Sequence, residues 1–410
     1  MECARHAGVP RTSSKAQPAT GRPGRRVPPA TAWAAALLGL ALARLVPPAA
    51  AWMLGPIVVA GEYAAVTAAA AALVALWGAF GRPRRPAAVG LAVTAALVAG
   101  WPVVQARRVL ADAGPAVAAL PITLGPAPAP GDAVLEGVTT YAADDGAPLT
   151  LRRFRPATRA GGAAGPRPTL VVLYAGAWRS GDAGQAAAVH RALARRGYAV
   201  VALDYRHAPA HRWPAQRADV RRGLALVRDS AAAWGVDAGR VVLWGRSSGG
   251  HLALLAAFDP EPVPGLVVRG VMSFYGPVDL AEGYRRPPRP DPIDARAVLT
   301  AFLGGPPAAR PAAYRDASPV AWVRPGLPPA LLVYGGRDHV VEARFGRQLA
   351  AALRAAGSPA AYAELPWAEH GFDVARGGVG ARVSDGLVTR FLTHPPPQVP
   401  DGRARGMLRP

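Results

Sequence analysis

At 410 residues the chain exceeds one typical domain, so a large core with a smaller companion unit is expected. Its formal charge of +21 rests almost wholly on arginine, with Lys15 the single lysine, and is scattered without any recognisable nucleic-acid module, so no nucleic-acid partner is expected. Cys3 is the one cysteine, which excludes an intramolecular disulfide and leaves compartment unread from thiols.

Residues 1–30 carry Arg5, Arg11, Lys15, Arg22, Arg25 and Arg26 with too little apolar material to bury, and read as a disordered basic leader. Residues 31–110 read as a membrane region. The apolar stretches 63–80 and 86–106 lack charge and approach or reach the roughly 20 residues needed to cross a bilayer. The stretch 31–46 ends at Arg44, Pro47 and Pro48 break it, and a further apolar piece runs up to Glu62. An ionised side chain at mid-membrane costs roughly 2.5 to 3.5 kcal/mol, so Arg44 and Glu62 are expected near interfaces, and three transmembrane helices are expected. The basic leader and Arg82, Arg84 and Arg85 favour the cytoplasmic side, which sends the rest of the chain to the outer face of the cell membrane, although Arg107 and Arg108 argue mildly against this. Two other readings stay open: a signal peptide cleaved near Ala49-Ala50-Ala51, and buried helices of a soluble domain.

Residues 111–132 read as a Pro/Ala-rich linker, 133–394 as a globular domain and 395–410 as a disordered tail. Within the domain, strands are predicted near 134–142, 149–156, 169–174, 198–205, 240–244, 267–274, 330–334 and 360–365. From the third strand onward they alternate with helices near 185–197, 217–234, 251–258, 341–356 and 378–391, the pattern of a mostly parallel α/β sheet covered on both faces. A Pro- and Arg-rich insertion at 282–312 reads equally as a cap over a pocket or as a surface loop.

Gly245-Arg246-Ser247-Ser248-Gly249 follows an apolar strand and precedes an apolar helix, the context in which a Gly-x-Ser-x-Gly turn projects a nucleophile. A hydroxyl needs a base, and the base needs an acid to hold its tautomer. Asp338 and His370 follow the ends of the last two predicted strands, 330–334 and 360–365, in the order serine, acid, histidine. Ser247, Asp338 and His370 are therefore the candidate catalytic residues. His339 and Asp373 are neighbouring alternatives, and His251 reads as structural.

Tyr174-Ala-Gly-Ala-Trp-Arg-Ser-Gly-Asp182 resembles the His-Gly-Gly-x-Trp-x-Ser-Gly-Asp stretch of α/β-hydrolase esterases related to hormone-sensitive lipase and kynurenine formamidase. Asp204-Tyr-Arg-His-Ala-Pro209, Trp213-Pro214-Ala215 and Asp219 resemble the next motif of that family, and the likeness covers about 133–394. The resemblance implies an α/β-hydrolase fold and an oxyanion hole built from the backbone N–H groups of Gly176, Ala177 and Ser248. It also places Tyr174 and Trp178 at the substrate pocket. Tyr174 stands where the family has histidine and Ala175 where it has a glycine, with Ala177 at the variable position before the tryptophan, which implies altered substrate shape.

The function so implied is a membrane-anchored serine hydrolase cleaving small-molecule carboxylic esters through an acyl-enzyme. No cofactor, no metal and no obligate protein partner is expected, and the lipid bilayer is the expected partner. Amide, aryl-formamide or peptide hydrolysis, or a retired non-catalytic fold, are the alternatives.

Overall fold

The structure, a computed structural model, describes residues 30–81, 84–112, 134–156 and 166–395. The expected leader apart from Ala30, nearly all of the expected linker and the tail beyond residue 395 lie outside the described residues.

The sheet has eight strands in the order β1-β2-β4-β3-β5-β6-β7-β8. These are β1 (Val134–Ala142), β2 (Pro148–Pro156), β3 (Arg167–Leu173), β4 (Ala199–Leu203), β5 (Val236–Arg246), β6 (Val268–Phe274), β7 (Ala330–Gly335) and β8 (Ala360–Leu365). The β1–β2 and β2–β4 pairs are antiparallel and all others parallel. The predicted hairpin closes at the Asp-Asp-Gly turn, where Asp145 Oδ1 accepts the Ala147 amide at 3.0 Å. The apolar runs of β3, β4 and β7 are buried, as expected for strands covered on both faces. The α/β-hydrolase architecture with a mostly parallel sheet is therefore present.

Covering helices are α5 (Ala187–Arg195), α6 (Ala215–Asp229), α7 (Ala231–Trp234), α8 (Ser248–Phe258), α12 (Ala343–Ala355) and α13 (Val379–Thr393). In α12 the spacing of Phe345, Leu349 and Leu353 turns one stripe inward, and all three are buried. Each such burial contributes roughly 1.5 to 3 kcal/mol.

Residues 282–312 do not form a surface loop. The region folds into α9 (Leu280–Arg285), α10 (Ala295–Leu303) and α11 (Pro311–Asp316). Asp279 caps α9 by accepting from the Glu282 amide at 2.9 Å, and Asp294 caps α10 by accepting from Ala297 at 3.1 Å. Gly304 ends α10 at φ 82°, where a side chain would be strained.

Before the sheet come α1 (Ala30–Ala43), α2 (Ala51–Glu62), α3 (Ala64–Phe80) and α4 (Pro86–Asp112). Ala30, Ala34, Ala88 and Ala92 are buried together, small side chains that let helices approach closely. The other end of α4 joins the sheet domain, with Ala106 and Leu110 in its core. Large apolar groups point outward along these helices: Trp52, Leu73, Phe80 and Leu97 are each at least 67% exposed.

Two expectations about this region need correction. Among the described residues only α4 is by itself long and apolar enough to cross a membrane; α2 and α3 qualify only as a pair bent by 60°. Over its 14 described residues α1 reaches about 21 Å, short of the roughly 30 Å hydrocarbon thickness, so three separate spans are not found among the described residues. Nor is the Glu62 side chain exposed on the surface, as expected of a group facing an interface. It is 3% exposed, with Oε2 accepting from the Gly380 and Ala381 amides at 2.5 and 3.3 Å, because a carboxyl group supplied with backbone donors can be held inside protein. Arg44 is also buried and donates to the Val98 carbonyl at 2.8 Å.

Candidate active site

The central strand β5 turns into α8 through Ser247, whose backbone stands at φ 50° and ψ −123°. Such a conformation costs on the order of 1 to 3 kcal/mol and persists only where its surroundings impose it. The neighbours do so by close approach: a Cβ on Gly245 would sit 2.1 Å from the Gly249 carbonyl oxygen, and one on Gly249 2.2 Å from that of Leu173. The Ser247 amide donates to the Phe274 carbonyl at 2.9 Å, tying the turn to β6.

His370, after β8, brings Nε2 to 3.1 Å from Ser247 Oγ. Its Nδ1 lies 2.8 Å from Oδ2 of Asp338, which follows β7. The other Asp338 oxygen accepts from the Val340 and Val341 amides at 2.8 and 2.7 Å. That fixes the orientation of the carboxylate and makes Nδ1 the ring nitrogen that donates to it. Burial disfavours the imidazolium, but the Asp338 carboxylate, with Glu369 and Asp373 behind it, outweighs burial and raises the His370 pKa.

The two neighbouring alternatives are occupied elsewhere. His339 Nδ1 lies 2.6 Å from Glu369 Oε2, while Glu369 Oε1 accepts the amides of His339 and His370 at 2.7 and 2.9 Å. Asp373 is buried and accepts from the Arg246 guanidinium and the Tyr275 hydroxyl. The Tyr275 ring packs 4.5 Å from that of His370, a contact with no signal in the sequence beyond an ordinary strand-end tyrosine. His251 is fully buried; its Nδ1 accepts the Trp178 indole N–H at 3.2 Å and its Nε2 donates to the Ala317 carbonyl at 2.6 Å. Burial takes its pKa down to about 4, so it is neutral and holds Trp178 in place.

The segment after β3 stands at φ 153° for Gly176 and at 53° and 58° for Ala177 and Trp178. Gln185 pins it from outside, accepting the Ala175 amide at 2.8 Å and donating to its carbonyl at 3.1 Å. Among the described residues no protein acceptor takes the amides of Gly176, Ala177 or Ser248. Alanine therefore occupies the left-handed position at 177, and its methyl lines the cavity over Ser247.

That cavity measures about 60 Å³ and is apolar. Ala177, Trp178, Ser247 and Ser248 line it together with Leu280, with Gly283, Ile293, Val298 and Leu299 of the insertion, and with Val341 and Phe345. Tyr174, expected here, is elsewhere. It stacks on Tyr205 at 4.3 Å and donates to Asp204 at 2.6 Å, with His207 Nε2 at 2.8 Å, because a buried phenol needs a partner and the carboxylate supplies one. Among the described residues no group of three or more His, Cys, Asp or Glu could hold a metal ion.

Residues 159–353 match the family described as BD-FAE. Esterase LipC of Mycobacterium tuberculosis is 36% identical over 225 residues, 52% of this chain and 55% of that protein. The probable carboxylic ester hydrolase LipM of the same organism is 34% identical over 220 residues, 51% of this chain and 50% of the other. The chain thus spans about half the length of the curated relatives it matches. Among solved structures, the Pyrobaculum calidifontis esterase aligns with a TM-score of 0.54 at 25% identity, over 63% of this chain and 85% of that one. A bacterial heroin esterase shares the fold at a TM-score of 0.54 and 24% identity, over 62% and 83%.

Proposed function

We propose that this chain, an α/β-hydrolase of the esterase group related to hormone-sensitive lipase, hydrolyses carboxylic esters by acyl transfer through Ser247. The observation that carries the reading is the relay from Ser247 Oγ to His370 Nε2 at 3.1 Å and from His370 Nδ1 to Asp338 at 2.8 Å. His370 takes the Ser247 proton as Oγ attacks the ester carbonyl. Asp338 keeps the acceptor nitrogen facing Ser247 and favours the imidazolium that forms. The amides of Gly176, Ala177 and Ser248 receive the oxyanion; each such donor is worth roughly 2.7 to 4 kcal/mol in the transition state. His370 then protonates the departing alkoxide, and water attacks the acyl-serine by the same route in reverse.

Three features support a short acyl or alcohol group on the cavity side: the tight apolar lining, the Ala177 methyl and the helices of the insertion folded over Ser247. Substituting Ser247→Ala is expected to abolish turnover of p-nitrophenyl butyrate while leaving the circular dichroism spectrum unchanged. Undiminished hydrolysis would refute the assignment.

The N-terminal helices are proposed to hold the protein at a lipid membrane, with the sheet domain on the outer face. The length and apolarity of α4 and the outward-pointing Trp52, Leu73, Phe80 and Leu97 support the membrane contact, and the arginines at 82, 84 and 85 on the opposite flank support the outer face.

A further inference from the structure

The N-terminal helices touch the sheet domain at two of the loops on which the proposed chemistry depends. After His370 the chain runs through residues 371–378 into α13, whose first-turn amides need acceptors. Its N-cap is Gly378, which has no side chain to offer, and no side-chain cap is made from within. The acceptor comes instead from Glu62, at the end of α2 and 318 residues away, whose Oε2 takes the amides of Gly380 and Ala381 at 2.5 and 3.3 Å. Space for it exists because positions 378 and 380 are glycines: a Cβ on Gly378 would stand 2.6 Å from the Glu62 Cβ, and one on Gly380 2.6 Å from Glu62 Oε1.

The next residue repeats the contact. The Tyr63 hydroxyl donates to the Arg376 carbonyl at 2.6 Å, within the loop that links His370 to α13. On the acid side, the Arg337 guanidinium, next to Asp338 in sequence, donates to the Leu45 carbonyl at 2.9 Å, while its amide donates to the Ala368 carbonyl at 3.0 Å, two residues before His370. The loops carrying the acid and the base are thus stitched to each other and, separately, to the N-terminal helices. From beneath, Arg246 beside the nucleophile pairs with Asp373 in the same His370 loop.

From this we infer that the N-terminal helices are a positioning element for His370 and Asp338, with Glu62 and Tyr63 as the positioning residues that order the loop from 371 to 381. The inference rests on the reading of Ser247, Asp338 and His370 as the triad. An anchor that served only for attachment would need no carboxyl oxygen buried against the first turn of α13. A base displaced by about 1 Å can cost on the order of a hundredfold in rate, so a modest loosening of this loop is felt in turnover. Substrate binding, formed by Ala177, Trp178 and the insertion, is left alone.

The test uses the full chain in detergent, with p-nitrophenyl butyrate turnover and fluorophosphonate labelling of Ser247 in the unaltered protein as the control. Lack of labelling there would sink the triad reading and this inference with it, whereas labelling in the unaltered protein leaves the Glu62 variants to decide this inference alone. Glu62→Ala is expected to lower kcat about tenfold with KM within about twofold, and to speed hydrogen exchange in peptides spanning 371–381. Glu62→Gln, which keeps an oxygen acceptor, is expected to restore most of kcat. Wild-type kcat and exchange in a folded Glu62→Ala protein would overturn the inference, as would a Glu62→Gln protein no better than the alanine variant. If Glu62→Ala does not fold, Tyr63→Phe decides: reduced kcat at unchanged KM supports it, and wild-type kcat overturns it.

Discussion

At Ser247 the chain holds a side chain in a backbone state most residues avoid, and the price is met by two glycines that allow backbone atoms within a distance no Cβ could share. Around His370 the charges are as informative as the distances. Asp338, Glu369 and Asp373 all favour the imidazolium, and Asp373 is countered by Arg246, with which it pairs. A general base works only when neutral, so its raised pKa places the acidic limb of kcat/KM above the roughly 6.5 of an unperturbed histidine. Substituting Glu369→Gln removes one negative charge while keeping an oxygen for the His339 and His370 amides. The His370 pKa should then fall, so the acidic limb should move to lower pH in a kcat/KM profile. A limb that stays in place or moves upward would show that Glu369 does not act on the base.

Among elements, α10 carries the clearest functional consequence, because Val298 and Leu299 turn from a surface-like, Pro-rich sequence into the wall facing Ser247. Truncating Leu299→Ala should open that wall. The ratio of kcat/KM for hexanoate over acetate p-nitrophenyl esters should rise about tenfold, at a cost of roughly 2 to 5 kcal/mol in stability by urea unfolding. An unchanged ratio would mean that acyl chains leave Ser247 by another path. The sequence left this insertion undecided because its apolar residues are sparse among prolines and arginines. By contrast, the strand ends before Ser247, Asp338 and His370 were legible, since each follows an uninterrupted apolar run and the glycines mark the turn. Tyr174 was misplaced because a position in a motif says nothing of Asp204, thirty residues on, which captures the hydroxyl. Glu62 was misread for the same reason on a larger scale: its partners are backbone amides in another element, and nothing local distinguishes a buried carboxyl group with donors from an interfacial one.

For the molecule as a whole, the distribution of apolar side chains divides the two regions. Among the described residues the sheet domain turns its large hydrophobic side chains inward, with Val138, Val267 and Val374 the exposed exceptions, whereas Trp33, Trp52, Trp77 and Trp101 all lie exposed on the N-terminal helices. Such a surface suits lipid, and the protein is expected to stay with the membrane pellet through alkaline carbonate extraction and to leave it only with detergent. Release by carbonate alone would remove the membrane assignment. The account's central claim is that Ser247, activated by His370 and Asp338, is the nucleophile. Its most direct test is to inactivate the full chain with a fluorophosphonate and map the adduct by mass spectrometry. The prediction is a single adduct on Ser247, accumulating in step with the loss of esterase activity. Full activity with Ser247 modified, or inactivation with the adduct on another residue and Ser247 untouched, would contradict it.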